Sequence, residues 1–351
     1  MRSDGAESTA PFIQLVRPME NHAQPESRSQ LPITILVPVF NDWAVAELLV
    51  EQLDAVLGEH GLAGRIVFVD DGSIESPPKQ FPKSPPRDLQ EIQILRLRKN
   101  LGHQRALSVG LVYLHQCKLD GAVLIMDADG EDSPRDIPLL LNEFIRQDQR
   151  KVIFAARGRR LESFVFKLFY QLYRAIHRVL VGFDIRIGNF SVIPSPLLEQ
   201  LVVASDLWNH YAAAVIKTKL PCAMVPVNRS KRLSGTSKMG FVGLVIHGLS
   251  AMAVFGDIVG VRLLIASGVF AVMTIGLVIS IFIIRFSTHL AIPGWATYTT
   301  GLLLLLLSQS LLLSLIFTFV VLYSRGQSSF VPIRDCPVYI SSAKTVFSRH
   351  G

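Results

Sequence analysis

The stretch Val123-Leu-Ile-Met-Asp127-Ala-Asp129-Gly-Glu-Asp132 decides the fold that the sequence predicts for this chain. Its apolar half ends at turn residues, which is typical of a buried strand in a mostly parallel sheet. Asp127 and Asp129 follow that strand at its carboxyl end, where open α/β sheets bind their ligands. Because alternate strand positions point in opposite directions, both carboxylates reach one ligand only where the chain bends, and Gly130 permits a bend. Clustered carboxylates suit a divalent cation such as Mg²⁺ or Mn²⁺, whereas the alternative is an acidic loop that caps the helix near Pro134.

Short apolar runs and segments of helical length alternate on both sides of this stretch. The alternation predicts an α/β fold with a doubly wound, mostly parallel sheet. We predict strands over residues 33–39, 65–69, 92–97 and 122–126, and helices over residues 42–58, 103–119 and 134–147. Three of the four strands end in pairs of Asn or Asp residues, and a parallel sheet would place those pairs at one edge.

Two apolar runs near the C-terminus predict membrane-spanning helices. Residues 263–284 and 301–322 are each 22 residues long and carry no charged side chain. A helix of that length covers roughly 33 Å, which is enough to cross a hydrocarbon core of about 30 Å. A pair of buried core helices is the alternative, but such helices are rarely apolar on every face.

Charge and cysteine content indicate how the chain lies in a membrane. The first 30 residues are polar, so we expect a disordered segment and no cleavable signal peptide. Lys and Arg precede the first span and follow the second, which places both termini in the cytoplasm. The net charge of +7 suits an anionic membrane surface and phosphorylated substrates better than nucleic acid. Three widely spaced cysteines predict neither a disulfide framework nor a zinc site.

Four motifs together resemble the motif series of glycosyltransferase family 2, in the same order. They are Val37-Pro-Val-Phe-Asn-Asp42, Val69-Asp-Asp-Gly-Ser73, Asn100-x-Gly102-x-x-x-Ala106-x-x-x-Gly110 and Met126-Asp-Ala-Asp129. The resemblance implies a GT-A fold, which binds a nucleotide-sugar donor. Family members usually have Asn-Glu where this chain has Asn41-Asp42, which is a conservative change.

The same resemblance implies roles for individual side chains. The nucleotide-binding residues would be Pro38, Asp42, Asp70, Asp71, Asn100, Gly102 and Asp127. The metal ligands would be Asp127, Asp129 and Glu131, with Asp129 also catalytic. Many relatives continue the two aspartates with Leu-Gln, whereas this chain has Gly130-Glu131. The segment around Asn189 is similar to a family segment that reads Gly-Asp-Phe-Arg, so the general-base role of that acid is not expected here.

The stretch Arg232-Leu-Ser-Gly-Thr-Ser237-Lys238 resembles the membrane-proximal loop of polyprenyl-phosphate sugar synthases. A fork-shaped Arg, a hydroxyl group, a Lys and a Gly could form a cradle for the acceptor phosphate. Arg232, Ser237 and Lys238 would then bind that phosphate, and Arg232 and Lys238 would be catalytic. The alternative is a solvated basic loop near anionic lipid.

These resemblances imply a metal-dependent, inverting transferase that moves a sugar from a UDP- or GDP-linked donor to undecaprenyl or dolichyl phosphate. A transferase for another lipid or glycan acceptor, or an inactive nucleotide-sugar-binding scaffold, are the alternatives. We expect an integral protein of a bacterial inner membrane, and a homo-oligomeric state is compatible with the sequence. The segments would be a disordered N-terminus (1–30), a cytoplasmic catalytic domain (31–238) with an interfacial helix (161–181), a juxtamembrane helix (239–257), two spans (261–285 and 300–323) with an external loop (286–299), and a cytoplasmic tail (324–351).

Overall fold

The computed structural model of the chain describes residues 13–15, 31–157, 171, 175–182, 187–227, 248–288, 294–326 and 330–349. The chain divides into two compact units. The first unit comprises Met1–Phe166, Ile185–Val254 and Phe330–Gly351, and the second comprises Lys167–Asp184 and Phe255–Ser329. The chain therefore passes from the first unit into the second twice and returns to the first unit each time.

The first unit is an α/β domain, and the second is built around two long helices. The strands are β1 (Ile13–Leu15), β2 (Ile33–Val39), β3 (Gly64–Asp70), β4 (Leu89–Leu97), β5 (Ala122–Ile125), β6 (Val152–Arg157), β7 (Ser191–Pro194), β8 (Cys222–Val227) and β9 (Ile340–Ser348). The helices are α1 (Trp43–Glu59), α2 (His103–Gln116), α3 (Ile137–Arg146), α4 (Ser195–Val202), α5 (Tyr211–Lys217), α6 (Gly256–Ser287), α7 (Trp295–Gly326) and α8 (Pro332–Asp335). Three short 3₁₀ turns cover Pro134–Asp136, Ser205–Trp208 and Cys336–Tyr339.

The strands form one sheet, which has nine strands within the described residues, in the order β1-β8-β6-β7-β5-β2-β3-β4-β9. Neighbouring strands are parallel except where β7 joins β5 and β6 and where β9 joins β4. Every residue of β2 is buried, as expected for a central strand with helices on both faces. The predicted doubly wound, mostly parallel α/β sheet is therefore confirmed.

Helix α2 packs unusually close to the sheet at Gly110. A Cβ atom at this position would lie 2.7 Å from Val69 Cγ2 and 2.8 Å from Leu36 Cδ1. Ala106, one turn earlier on the same face, is also fully buried. This close approach holds α2 against β2 and β3, and its first residue, His103, lies beside Asp127 at the carboxyl end of β5.

The four predicted strands and three predicted helices are all present, with small differences at their ends. The predicted helix over 134–147 is a 3₁₀ turn, Pro134–Asp136, followed by α3. Two outer strands differ from our expectations. Residues 13–15 form a strand parallel to β8 within a segment that we predicted to be disordered. Residues 340–348 of the predicted tail form β9, which pairs antiparallel with β4.

The second unit contains two helices that are long and apolar enough, by length and composition, to cross a membrane. They cover Gly256–Ser287 and Trp295–Val321, with hydropathies of 2.5 and 2.3. Their most apolar windows are only 17% and 6% buried, which is unlike the core helices of a soluble protein. Ser267 Oγ lies 2.5 Å from Ser314 Oγ and 3.3 Å from Ser310 Oγ, so hydroxyl groups join the two helices.

Candidate active site

The candidate site lies at the carboxyl edge of three neighbouring parallel strands, β5, β2 and β3. Strand β2 pairs with both β5 and β3 in parallel register. Asn41 and Asp42 follow β2, Asp70 ends β3, and Asp127 follows β5. The structure thus brings the polar strand ends together at one edge of the sheet, as the alternation of strands and helices predicts.

Asn41 joins the loops that follow β2 and β3. Its backbone N–H donates to Ser73 Oγ at 2.9 Å. Its side-chain Oδ1 accepts from the backbone N–H groups of Ile74 at 2.9 Å and Glu75 at 3.2 Å. The φ angle of Asn41 is 53°, a left-handed conformation that Asn tolerates better than most residues. Asn41 therefore holds the loops after β2 and β3 together at this edge of the sheet. The next residue, Asp42, is half-exposed at the start of α1.

Asp70 is fully buried at this edge. Its Oδ1 accepts from the backbone N–H of Ser73 at 2.8 Å. Its Oδ2 accepts no hydrogen bond from the described residues, and Arg96 Nε lies 3.6 Å from it. A buried carboxylate oxygen with unused acceptor capacity is costly, so it is a suitable partner for a donor on a ligand. Pro38 lies within β2 and is buried in the sheet.

Asp71 holds the loop that precedes α2. Its Oδ1 accepts from the backbone N–H of Leu101 at 2.7 Å, and its Oδ2 accepts from that of Gly102 at 2.9 Å. Burial raises the pKa of Asp71, although these two bonds and the nearby His103 oppose the rise. We predicted Asp71 as a nucleotide-binding residue, and in the structure its carboxylate also shapes the loop that contains Asn100 and Gly102.

The loop after β5 bends as predicted. Gly130 has a φ angle of +78°, the left-handed conformation that glycine adopts without strain. Asp127 donates its backbone N–H to Asp132 Oδ2 at 3.0 Å, and Glu131 donates its backbone N–H to Asp129 Oδ1 at 3.0 Å. The side chains of Asp127 and Asp129 are both partly exposed.

The described residues hold no group of three or more His, Cys, Asp or Glu side chains arranged for a metal ion. Asp127, Asp129 and Glu131 are therefore not gathered as a complete protein cage. Mg²⁺ commonly binds through one or two carboxylates plus the phosphates of its substrate. The all-oxygen pair Asp127 and Asp129 fits that mode.

His103 and Gln104, at the start of α2, connect Asp127 with Asn189. His103 Nε2 lies 3.2 Å from Asp127 Oδ1 and 2.8 Å from Asn189 Nδ2. Gln104 Nε2 donates to Asn189 Oδ1 at 3.1 Å, and Gln104 Oε1 accepts from the backbone N–H of Tyr211 at 2.8 Å. Burial lowers the pKa of His103, but Asp127, Asp71 and Asp129 outweigh it, so that pKa is raised.

The sequence analysis did not identify His103 or Gln104 as site residues. Their position directly after the Asn100–Gly102 turn was the available signal, but their partner Asn189 lies 86 residues from His103 along the chain. Ser191, which replaces a basic family residue, is buried, and its Oγ lies 2.8 Å from Tyr211 Oη. Asn189 and Ser191 therefore belong to one polar network behind Asp127.

The predicted acceptor-phosphate residues Arg232, Ser237 and Lys238 lie outside the described residues. So do most of the predicted interfacial helix over 161–181 and the first half of the juxtamembrane helix over 239–257. These hypotheses remain predictions.

Comparison with known proteins shows which family and which relatives this chain is similar to. Residues 34–194 match Glycosyl transferase family 2. A Bacillus subtilis (strain 168) protein, provisionally named as the glycosyltransferase CsbB, is 24% identical over 78% of this chain and 82% of its own length. The dodecaprenyl-phosphate galacturonate synthase of Rhizobium johnstonii is 25% identical over 39% of this chain and 40% of its own length. The undecaprenyl-phosphate 4-deoxy-4-formamido-L-arabinose transferase of Pseudomonas aeruginosa is 30% identical over 31% of each chain.

A solved structure supports the fold. Glucosyl-3-phosphoglycerate synthase from Mycobacterium tuberculosis, in complex with Mn²⁺, UDP-glucose and phosphoglyceric acid, aligns with a TM-score of 0.50 and 14% identity. The alignment covers 71% of this chain and 88% of that chain. At this identity the similarity shows the GT-A-like fold alone.

Proposed function

We propose that this glycosyltransferase, whose residues 34–194 match Glycosyl transferase family 2, transfers a sugar from a nucleotide-sugar to a polyprenyl phosphate at a membrane. The observation that carries the proposal is the carboxyl edge of β5, β2 and β3, where Asp42, Asp70 and Asp127 lie together. Relatives that are named for dodecaprenyl- and undecaprenyl-phosphate acceptors support the choice of acceptor.

The donor nucleotide would bind along this edge. Asp70 is suited to the base or ribose because its buried Oδ2 can accept a hydrogen bond. Pro38 and Asp42 line the same edge from β2 and the start of α1. Asp71 would act through the loop that contains Asn100 and Gly102.

Asp127 and Asp129 would hold Mg²⁺ or Mn²⁺, and Glu131 remains a candidate third ligand from the sequence. When bound, such a cation neutralises charge on the departing nucleoside diphosphate. Asp127 would also face the ribose and phosphate. The contact between Asp127 and His103 limits how far this carboxylate can turn.

The acceptor would attack as a phosphate oxygen. A new bond forms between that oxygen and the anomeric carbon while the bond from the anomeric carbon to the diphosphate breaks, with inversion at the carbon. A phosphate monoester has a second pKa near ~6 and is largely dianionic at neutral pH. No enzymic base is required, so Asn189 in place of the family's acid is compatible with activity. Arg232, Ser237 and Lys238 would balance the charge of the acceptor phosphate.

The two helices α6 and α7 would span the membrane as a pair. The chain enters α6 from the first unit and returns to that unit after α7, where β9 joins the catalytic sheet. A folded domain lies on one side of a membrane. The N-terminal end of α6 and the C-terminal end of α7 would therefore both lie on the side of the membrane that carries the catalytic domain. The positive residues around the helices favour the cytoplasm for that side.

The experiment that tests the proposal incubates membranes containing the protein with labelled UDP- and GDP-sugars and undecaprenyl phosphate. We expect label in the lipid extract, and none from membranes containing the Asp129→Asn variant. Label that enters only material insoluble in organic solvent would assign a glycan acceptor instead. No transfer from any donor in the panel would favour a binding scaffold over an enzyme.

A further inference from the structure

Three cations and three aromatic rings form a surface cluster outside the proposed donor and metal sites. The basic–aromatic patch consists of Arg98, Lys99, Arg105, Trp208, Phe330 and Tyr339. Its residues come from the turn before α2, the first turn of α2, a 3₁₀ turn, and the segment that follows α7. All six belong to the first unit.

The aromatic rings of the patch stack on one another. The ring centroids of Trp208 and Phe330 are 4.1 Å apart at an interplanar angle of 29°. Those of Trp208 and Tyr339 are 5.4 Å apart at 27°. The three rings are partly exposed, and Val338 beside them is 66% exposed. The patch therefore presents a rigid aromatic surface to its surroundings.

The cations lie over and beside these rings. Arg105 Cζ is 5.3 Å from the Trp208 ring centroid, and Lys99 Nζ is 5.8 Å from the Tyr339 ring centroid. Arg98 Nε donates to the backbone oxygen of Val338 at 3.0 Å, and the Arg98 N–H donates to that of Tyr339 at 2.9 Å. All three cationic side chains are exposed.

These three cations are not neutralised within the described part of the chain. Arg334, four residues after Phe330, pairs with Asp335 at 2.7 Å, whereas Arg98, Lys99 and Arg105 have no described carboxylate within 4.0 Å. Exposed cations on an aromatic surface attract an anion, and guanidinium and ammonium groups bind phosphate well.

The position of the patch along the chain indicates where that phosphate is found. Phe330 follows the last residue of α7, Gly326, by four residues, and four residues extend at most about 14 Å. If α7 spans a membrane, as proposed above, Phe330 and the rings stacked on it lie close to the lipid headgroups. Aromatic rings with basic partners are typical of that layer.

We propose that the basic–aromatic patch binds the phosphate of an anionic phospholipid headgroup. Arg98, Lys99 and Arg105 contact the phosphate, while the stacked rings of Trp208, Phe330 and Tyr339 lie against the glycerol and the start of the acyl chains. The proposal depends on the membrane placement of α7 and is independent of the donor sugar and of the acceptor. A bound phospholipid would also fix the turn before α2, which contains Asn100 and Gly102.

The test titrates the full-length protein in neutral detergent with dihexanoyl phosphatidylglycerol and follows Trp208 fluorescence. The Trp208→Phe variant gives the background from the other two tryptophans. We expect a saturable change with phosphatidylglycerol and none with dihexanoyl phosphatidylcholine or with inorganic phosphate. The double variant Lys99→Gln/Arg105→Gln should weaken the apparent affinity by at least about tenfold.

Two further variants keep the result interpretable. Lys118→Gln/Arg150→Gln removes the same charge from exposed sites elsewhere and should leave the affinity unchanged. Lys99→Arg/Arg105→Lys keeps both charges and should retain most of the affinity. Nucleotide binding measured on each preparation reports whether the domain is folded.

Several results would overturn the proposal. Equal responses to phosphatidylglycerol and phosphatidylcholine would show that headgroup charge is irrelevant. If Lys99→Gln/Arg105→Gln and Lys118→Gln/Arg150→Gln weaken the affinity for phosphatidylglycerol equally, the net charge of the protein alone would explain the binding. A response to undecaprenyl phosphate alone would assign the patch to the acceptor. Extraction of the protein from membranes by alkaline carbonate would show that α6 and α7 do not span the membrane, and this would also overturn the proposal. The transfer assay described above tests the transferase activity separately.

Discussion

Replacement of Asp71 tests whether this residue acts by holding the loop before α2 or by contacting the nucleotide directly. In Asp71→Ala, the backbone N–H groups of Leu101 and Gly102 each lose a carboxylate acceptor that lies within 2.9 Å. Each bond to a charged acceptor is worth about 1.5–3 kcal/mol, so the two together would be worth about 3–6 kcal/mol. Burial disfavours the ionised form of Asp71 and raises its pKa. This cost offsets part of the stabilisation that the two hydrogen bonds provide. We therefore expect a net destabilisation of about 2–4 kcal/mol.

The assay for this prediction combines two measurements on the same preparation. Thermal unfolding of the purified protein reports stability, and calorimetric titration with UDP and GDP reports nucleotide affinity. Asp71→Ala should lower the unfolding midpoint by several degrees and weaken nucleotide binding, because the Asn100–Gly102 loop loses its anchor. Asp71→Asn should have a smaller effect, since its amide oxygen can still accept one of the two bonds. Asp120→Ala, an exposed change near the end of α2, is the matched control.

The raised pKa of Asp71 also predicts a direction for the pH dependence. A carboxyl group whose pKa is higher in the folded than in the unfolded protein stabilises the fold at low pH. That contribution is lost as the pH rises from about 3.8 through the folded-state pKa. Asp71→Ala should remove this decrease. Wild-type stability in Asp71→Ala together with abolished nucleotide binding would refute the reasoning, because the carboxylate would then contact the nucleotide itself.

The other predictions concern the metal, the topology and the acceptor. Asp129→Asn should abolish transfer without changing the unfolding midpoint, and EDTA should stop the wild-type enzyme; full activity after chelation would exclude a metal requirement. A cysteine introduced at Thr297 should react with an impermeant thiol reagent outside intact cells, whereas native Cys117, which is exposed on the catalytic domain, should react only after the membrane is opened; labelling of Cys117 in sealed cells would reverse the orientation. Arg232→Ala should reduce transfer to polyprenyl phosphate by roughly one to two decades, with only partial rescue by Lys, while Asp70→Ala should weaken nucleotide binding. Wild-type transfer by Arg232→Ala across a range of acceptor concentrations would argue against the phosphate cradle.

The sequence by itself determined the elements around the site. Strands β2, β3 and β5 are short apolar runs with turn residues after them, and α2 and α3 have helical length between such runs. These are local patterns that read directly from the residues. Parallel strands share one carboxyl edge, so Asp42, Asp70 and Asp127 could be placed together without knowledge of the strand order.

Only the tertiary structure decided the contacts between segments that are distant along the chain. Residues 340–348 mix polar and apolar side chains without the regular alternation of a half-buried strand, so their pattern alone does not predict β9; their pairing with β4 supplies the reason. The different roles of Asp70 and Asp71 also depend on the folded loops. Asp70 accepts one backbone N–H and keeps an oxygen without a hydrogen bond from the described residues, whereas both oxygens of Asp71 accept backbone N–H groups from the loop before α2. The connection of Asp127 to Asn189 through His103 depends on the position of the first residue of α2, which lies beside both the loop after β5 and the residue that precedes Phe190 and β7. Strand order, register and side-chain partnership arise from packing between elements, and no local period in the sequence encodes them.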